Sequence, residues 1–382
     1  MERVDPFSAA RLGPVELRNR IVKAATFEGR TPAGQVTDDL ISFHCQFARA
    51  GVAMTTVAYC AVSSEGSIDG HQIQLDRPSV GNGLARLTGA VHAAGAKVAA
   101  QLGHSGPLGR LAPSRVFSPS RMRFTRAARR SDLERIARQF ATGARLLRDV
   151  GFDAIEVHLG HDYLLSAFLS PLLNRRSDGW GGPLVNRARF PRLVVEQIRE
   201  AVGLKVAVTA KLNMTDGLPG GLQVEESLEF ARMVEADGCL DALTLTAGSS
   251  FANPMFLFRG DAPIDSMLRH LPPVFRWLAK PFARRLFRTY PFEEAFFLES
   301  ARSFRSALRL PLILLGGVTR LHTVQRALDE GFLLVQLGRA LLREPDLVLR
   351  WQRDPSYRSL CTHCNECVPT IYHRTRCVLA EP

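Results

Sequence analysis

The chain has 382 residues, of which 46% are hydrophobic and 23% are charged, and its formal net charge is +12. Such a chain can bury a large core, and its length allows one large domain or a few smaller ones. The arginines are spread along the sequence rather than gathered on one element with interleaved aromatic residues, so no nucleic-acid partner is predicted.

The sequence contains no uncharged apolar run long enough for a membrane-spanning helix. The N-terminal stretch "MERVDPFSAARLGPVEL" lacks the apolar segment of a signal peptide. The seven cysteines are odd in number, and Cys45, Cys60 and Cys239 are isolated, which suits a reducing compartment better than a disulfide scaffold. We therefore expect a cytoplasmic protein.

Short apolar runs alternate with helical patterns along the chain. Near-continuous apolarity is typical of strands that are covered on both faces. Eight runs are predicted as strands: Ile21–Thr26, Val52–Ala58, Lys97–Leu102, Asp153–His158, Lys205–Leu212, Asp241–Thr246, Pro311–Gly316 and Phe332–Leu337. The predicted helices, several followed by a glycine suited to a C-cap, are Asp38–Ala50 after a Thr37 cap, Leu84–Ala94, Asp132–Val150, Val185–Ala201, Val224–Ala236, Phe292–Leu308, Leu321–Asp329 and Leu341–Gln352.

Eight strand–helix units predict an α/β protein with a (β/α)8 TIM barrel. The alternative, a doubly wound open sheet, requires a Gly-x-Gly-x-x-Gly turn after the first strand, where this chain has "KAATFEGRTPAG". Long loops follow strand three (Gly103–Ser131) and strand six (Ala247–Pro291), on the side that carries the active site in such barrels. We expect the barrel over residues 1–355 and a Cys-rich tail over 356–382.

The stretch "LPPVFRWLAKPFARRLFRTY", residues 271–290, mixes large apolar and basic residues at helical spacing. No acidic residue occurs between Ser266 and Phe292. We favour a helical hairpin that is broken at Pro281 and packs over the barrel mouth. The alternative is contact with a membrane surface through Phe275, Trp277, Phe282 and Phe287.

The predicted strand ends carry two groups of residues suited to chemistry. Gly316-Gly317 after strand seven and Gly338-Arg339 after strand eight combine backbone amides with a guanidinium, as in barrel phosphate sites. After strand four come His158, His161 and Tyr163. The plain alternative for these three is a structural role. A metal half-site is disfavoured because no carboxylate or thiolate partner is obvious locally.

Five segments together resemble the Old Yellow Enzyme family of NAD(P)H:flavin oxidoreductases. They are "RIVKAAT", "AAQLGHSG", "IEVHLGHDYLLSAFLSPLLNRRSDGWGGPLVNRARF", "LILLGGV" and "VQLGRALLREPDL", which occur in order along nearly the whole chain. The resemblance implies a (β/α)8 barrel that binds FMN non-covalently and uses NADH or NADPH to reduce the C=C bond of α,β-unsaturated carbonyl compounds.

The resemblance also implies roles for individual residues. His158 and His161 match the paired donors to the substrate carbonyl, and Tyr163 matches the proton donor to the α-carbon. Lys211 stands where the family usually has an arginine near the flavin N1–C2=O locus. The cofactor-binding residues implied in this way are Ala25, Thr26, Tyr59, Gln101, Lys211, Gly316, Gly317, Gly338 and Arg339.

One position near the implied flavin departs from the family pattern. Phe27 stands where the family often has Thr or Cys, and it cannot donate a hydrogen bond to the flavin C4=O. Arg126 and Arg110, both from the loop after strand three, are alternative candidates for a residue that enters the site.

The tail sequence "CTHCNECVPTIYHRTRC" contains Cys361, Cys364, Cys367 and Cys377. It resembles the tail of the two-domain dienoyl-CoA reductase branch, where four cysteines hold a [4Fe–4S] cluster. Two spacings are shorter here, and we expect no following FAD/NAD(P) domain. Three interpretations remain open: an iron–sulfur cluster, thiols without a metal, and a zinc site formed by Cys364, Cys367 and Cys377 with His363 or His373.

The predicted function is FMN-dependent reduction of unsaturated carbonyl compounds, in a homo-oligomer. One alternative is a dienoyl-CoA-reductase-like or demethylating flavoenzyme that receives electrons through a tail cluster. Another is a non-redox barrel whose phosphate pocket binds a sugar phosphate or nucleotide.

Overall fold

The computed structural model describes residues 3–68, 70–109, 117–122, 125–250, 252–269, 271–371 and 373–380. Eight parallel strands close into a barrel in which each strand pairs with the next and the eighth pairs with the first. They are Ile21–Lys23, Met54–Ala61, Lys97–Gly103, Ala154–Leu159, Ala207–Asn213, Ala242–Thr246, Leu312–Leu315 and Leu334–Leu337. Every predicted strand overlaps one of them, which confirms the (β/α)8 barrel.

Helices surround the barrel and bury one face against it. Thr37 caps the first helix, since its side chain accepts a hydrogen bond from the Leu40 N–H at 3.2 Å. The helices are Asp38–Arg49, Val80–Ala93, Arg130–Asp149, Leu164–Leu169, Leu184–Arg187, Arg189–Val202, Val224–Asp237, Pro254–Phe258, Ile264–Met267, Pro273–Leu286, Leu298–Ala307, Leu321–Asp329, Arg339–Arg343 and Leu347–Arg353.

Two predicted helices have different bounds for local reasons. The one predicted over Phe292–Leu308 begins at Leu298, because Ala295 adopts a left-handed backbone with φ of 55°. The one predicted over Leu341–Gln352 is two helices separated at Pro345. A residue before proline is driven out of the helical region, so the first helix ends there.

An N-terminal β-hairpin, which the sequence analysis does not predict, closes the lower end of the barrel. Its strands Ala10–Leu12 and Val15–Leu17 pair antiparallel. Their buried side chains pack against small residues at the starts of the barrel strands, among them Ala99 and Ala154. The opposite end, where the strands finish, is therefore the open end available for a site.

The segment after strand six differs from the favoured prediction. Residues Pro273–Leu286 form one helix that continues through Pro281, so there is no hairpin. Phe275, Trp277 and Phe282 are 60%, 76% and 72% exposed, so these side chains do not pack over the barrel mouth. Proline at 281 removes one backbone donor but does not reverse the chain.

The tail lies along the barrel. Arg358 forms a β-bridge with Arg320, and the Thr375 N–H donates to the Glu28 carbonyl at 2.9 Å. The division between residues 355 and 356 and the homo-oligomer stay predictions. Among the described residues, no helix has the length and apolarity needed to cross a bilayer.

Candidate active site

A buried carboxylate organises the barrel interior near the ends of the strands. Lys211 Nζ lies 2.8 Å from Glu156 Oε1, and both side chains are at most 3% exposed. The Gln101 amide donates to the same oxygen at 2.7 Å, and Gln336 and Thr244 donate to Oε2 at 3.1 and 3.3 Å. Glu156 thus brings the predicted Gln101 and Lys211 together.

Glu156 was not predicted as a site residue, although an acidic residue inside the apolar run "AIEVHL" could have indicated a buried charge. Burial alone raises the pKa of this carboxyl group, but the charge of Lys211 and three hydrogen bonds outweigh burial and lower it overall. Glu156 is therefore ionised at neutral pH. Its negative charge balances the positive charge that Lys211 brings to this end of the barrel.

His158 and His161 meet at the end of strand four, with ring centroids 5.2 Å apart. His161 and Asp162 both have positive φ, 59° and 65°, which turns the chain sharply after the strand. His161 Nε2 lies 2.9 Å from the Thr246 hydroxyl, so strand six orients this ring. His158 Nδ1 is buried and has no hydrogen-bond partner among the described residues.

Both imidazoles are neutral in this environment. Burial, aided by the charge of Lys211, lowers the pKa of His158 to about 3. Burial also holds the pKa of His161 well below its usual value. A neutral imidazole carries one N–H donor and can offer it to a ligand oxygen. The unpartnered atom of His158 is a polar group that a ligand in the mouth would satisfy.

Tyr163 lies beside these histidines, its ring centroid 4.3 Å from that of His158. Tyr59 contacts it edge to face at 5.2 Å and donates its hydroxyl to the Gly66 carbonyl at 3.0 Å. Ala25 packs in the same small cluster. The structure therefore assembles Ala25, Tyr59 and Tyr163 from strands one, two and four.

The glycines after strands seven and eight differ in their surroundings. Gly316 and Gly317 have φ of 114° and 71°, and a Cβ at either position would come within 2.6 Å of Phe297 or Phe296. Glycine is required at both positions. At Gly338 an added Cβ would meet Thr26 Cγ2 at 3.9 Å, which is ordinary van der Waals contact, so this glycine is less crowded than Gly316 and Gly317.

Arg339 is turned toward the tail. Its guanidinium donates to the Arg259 carbonyl at 2.9 Å and also bonds the Phe258 carbonyl and the Asn365 side chain. The predicted phosphate role of Arg339 stays a prediction. Its observed partners link strand eight to the loop after strand six and to the Cys-rich segment.

A second polar network, also missed by the sequence analysis, lies behind Thr26. Lys23 is 1% exposed, and its ammonium donates to the Ala24 carbonyl at 2.9 Å and to the Thr26 hydroxyl at 3.0 Å. Glu28 lies 3.9 Å away and accepts from the Ala58 N–H. Burial lowers the pKa of Lys23 and raises that of Glu28, each to about 8. This network fixes the Thr26 hydroxyl.

Of the two arginine candidates from the loop after strand three, Arg126 is described and does not enter the site. Arg126 forms two 2.9 Å hydrogen bonds with Asp132 at the start of the following helix. Its guanidinium also stacks over Phe117. Arg110 lies outside the described residues. Phe27 is half-buried next to Thr26, and its carbonyl accepts a hydrogen bond from Thr375.

The four tail cysteines line one small cavity together with residues that include Arg339 and His363: Cys361, Cys364, Cys367 and Cys377. Burial raises the pKa of Cys361, and it raises that of Cys367 to about 12. Within the described part of the chain, no three His, Cys, Asp or Glu side chains converge as a site for one metal ion. The geometry therefore does not support the zinc interpretation.

Comparison with known proteins identifies the family of this chain. Residues 6–243 match the sequence model of the NADH:flavin oxidoreductase / NADH oxidase family. A 4,4'-dithiodibutanoate disulfide reductase of Rhodococcus erythropolis is 52% identical over 383 residues, covering 98% of this chain and 95% of that protein.

Solved structures share the fold. A 2-naphthoyl-CoA reductase superposes with a TM-score of 0.83 at 23% identity, covering 97% of this chain and 56% of that one. The Old Yellow Enzyme homologue of Zymomonas mobilis has a TM-score of 0.71 at 20% identity, with 98% and 100% coverage. The chain thus spans little more than half of the first structure and the whole of the second.

Proposed function

The chain belongs to the NADH:flavin oxidoreductase / NADH oxidase family, of the Old Yellow Enzyme type, and on that premise we propose that it reduces the C=C bond of α,β-unsaturated carbonyl compounds. One observation carries the proposal. Two neutral, buried imidazoles, His158 and His161, stand beside the phenol of Tyr163 at the open end of the barrel.

Bound FMN would supply the redox chemistry, by accepting hydride from NADH or NADPH and passing it to the alkene. The residues that would hold its phosphate are Gly316, Gly317, Gly338 and Arg339. Those that would line the flavin ring are Ala25, Thr26, Tyr59, Gln101 and Lys211. The uncrowded backbone at Gly338 and the unpartnered His158 nitrogen fit this assignment.

The histidines and the tyrosine would have different roles toward the substrate. His158 and His161 donate N–H bonds to the substrate carbonyl oxygen and stabilise the negative charge that grows there as hydride reaches the β-carbon. Tyr163 gives its hydroxyl proton to the α-carbon, which completes the addition of two hydrogens. Neutral imidazoles suit this role because each keeps the same protonation state, with one N–H donor, over a wide pH range.

The test separates the two half-reactions by anaerobic stopped-flow absorbance of the FMN-loaded enzyme. We expect His158→Ala/His161→Ala to retain FMN and its reduction by NAD(P)H, while reoxidation by 2-cyclohexenone slows about 100-fold or more. His92→Ala, at a partly exposed histidine, is the matched control. Unchanged reoxidation in the double variant would contradict the assignment.

A second candidate acceptor is a disulfide, favoured by the 52% identical relative that is named as a disulfide reductase. Hydride would add to one sulfur, the S–S bond would break, and the other sulfur would leave as a thiolate. A thiol has a pKa near 8.5, so this leaving group needs little help from a proton donor. Tyr163→Phe should therefore slow reduction of the alkene about 100-fold and leave reduction of 4,4'-dithiodibutanoate nearly unchanged.

The tail supports a proposal of its own: Cys361, Cys364, Cys367 and Cys377 hold an iron–sulfur cluster. Four half-buried thiols that line one cavity offer the four ligands of a cluster, whose irons are spread over several ångströms. Anaerobically purified protein should contain iron and acid-labile sulfide, and Cys364→Ser should lose both. Iron-free protein with free thiols would favour the interpretation without a metal.

A further inference from the structure

The helix Pro273–Leu286 exposes an unusual amount of apolar surface. Five of its large side chains are between 59% and 76% exposed: Val274, Phe275, Trp277, Leu278 and Phe282. The helix contacts the rest of the protein mainly through Ala283, which is buried, and through an ion pair between Lys280 and Asp265 at 2.7 Å. Exposed apolar patches of this kind mark interaction sites.

The side chains divide around the helix axis. At about 100° per residue, Phe275, Leu278 and Phe282 fall on one face. Arg276, Lys280 and Arg284 fall on the opposite half, beside the contact made by Ala283. An apolar face of Phe and Leu with Lys and Arg on the opposite half is the arrangement of helices that lie in the interface of a bilayer.

The basic residues around this helix indicate which kind of surface covers its apolar face. No acidic residue lies between Ser266 and Phe292, and within the described part of the chain Arg284, Arg285 and Arg288 form no salt bridge. A second copy of the chain would bring the same cations against these, which disfavours self-association. An anionic lipid surface complements them and also accepts the apolar face.

We propose that Pro273–Leu286 docks the protein on anionic membranes. The helix belongs to the segment after strand six, which is on the same side of the barrel as His158 and His161. Docking therefore turns the barrel mouth toward the lipid, where apolar acceptors partition. The inference does not depend on which acceptor is reduced, and enzyme activity in the absence of lipid is independent of it.

The experiment is flotation of the FMN-loaded full chain with large unilamellar vesicles. We expect binding to phosphatidylcholine vesicles containing 30% phosphatidylglycerol and little binding to phosphatidylcholine alone. Phe275→Ser/Phe282→Ser should lower the partition coefficient about tenfold or more. Arg284→Glu/Arg285→Glu should lower it about 25-fold or more, since each cation contributes about fivefold.

Matched controls lie elsewhere on the surface. Leu204→Ser and Arg232→Glu change exposed residues outside this helix and should leave binding unchanged. Trp277 is a built-in reporter, because Trp351 is buried and Trp180 is half-buried. Its emission should move to shorter wavelength on anionic vesicles.

Three outcomes would overturn the proposal. The first is absence of flotation with anionic vesicles, and the second is equal flotation of Phe275→Ser/Phe282→Ser. The third is a lipid-free dimer, seen by light scattering, that dissociates in the same variant. FMN content and melting temperature report folding of each variant. Reduction of 2-cyclohexenone without lipid separates failure of docking from failure of the proposed activity.

Discussion

Replacing Glu156 by Gln tests whether this carboxylate organises the barrel interior. The change removes the negative charge and leaves the ammonium of Lys211, which is 3% exposed, without its partner at 2.8 Å. Breaking a buried pair in this way costs about 3–5 kcal/mol. A chain of 382 residues unfolds with an entropy of about 0.8 kcal/mol per degree, so the melting temperature should fall by about 4–6 °C.

The assay is a double-mutant cycle followed by calorimetry on protein without FMN. Lys211→Met alone should also destabilise, because it leaves Glu156 charged and unpaired. Glu156→Gln/Lys211→Met removes both charges, so it should be more stable than the sum of the single effects predicts, by about 2 kcal/mol or more. A drop of less than about 1 °C for Glu156→Gln, or strict additivity in the cycle, would refute the reasoning.

Three further predictions concern stability. Gly316→Ala should lower the melting temperature measured by calorimetry by about 1–4 °C, because φ there is 114° and a Cβ would come within 2.6 Å of Phe297. Burial lowers the pKa of His104 and His158 to about 3, so the unfolded chain binds more protons below about pH 6.5. Stability should therefore be lost progressively as the pH falls from about 6.5 toward 3, and an unchanged melting temperature from pH 8 to 4 would contradict this. Thr37→Ala removes a helix cap and should cost about 1 kcal/mol by calorimetry, with no effect on FMN binding.

The fold was readable from the sequence because barrel strands are apolar on both faces. The predicted run Lys97–Leu102, for example, overlaps the observed strand Lys97–Gly103 almost residue for residue. The predicted helix bounds failed where a local backbone event intervened, at the left-handed Ala295 and at Pro345. The N-terminal hairpin that closes the lower end of the barrel could not be predicted in this way, because its strands have only three residues each and form no apolar run.

The site was readable only in part. Sequence order and resemblance pointed to His158, His161 and Tyr163, and the structure brings their rings together. The partners of predicted residues were not foreseen, because hydrogen bonds such as that from Gln101 to Glu156 join residues far apart in sequence. The turn of Arg339 toward the tail likewise depends on contacts with other loops.

By itself, the sequence determined the class of the protein: eight apolar runs at barrel spacing, glycines after the last two strands, and a histidine pair after the fourth. Local pattern carries this information because strand burial and turn geometry act on neighbouring residues. Only the tertiary structure decided which charges neutralise each other inside the barrel, that four cysteines share one cavity, and that the helix at 273–286 presents its apolar face outward. These facts depend on which strands and loops meet in space, and the energy of a buried charge or an exposed ring is set by those neighbours.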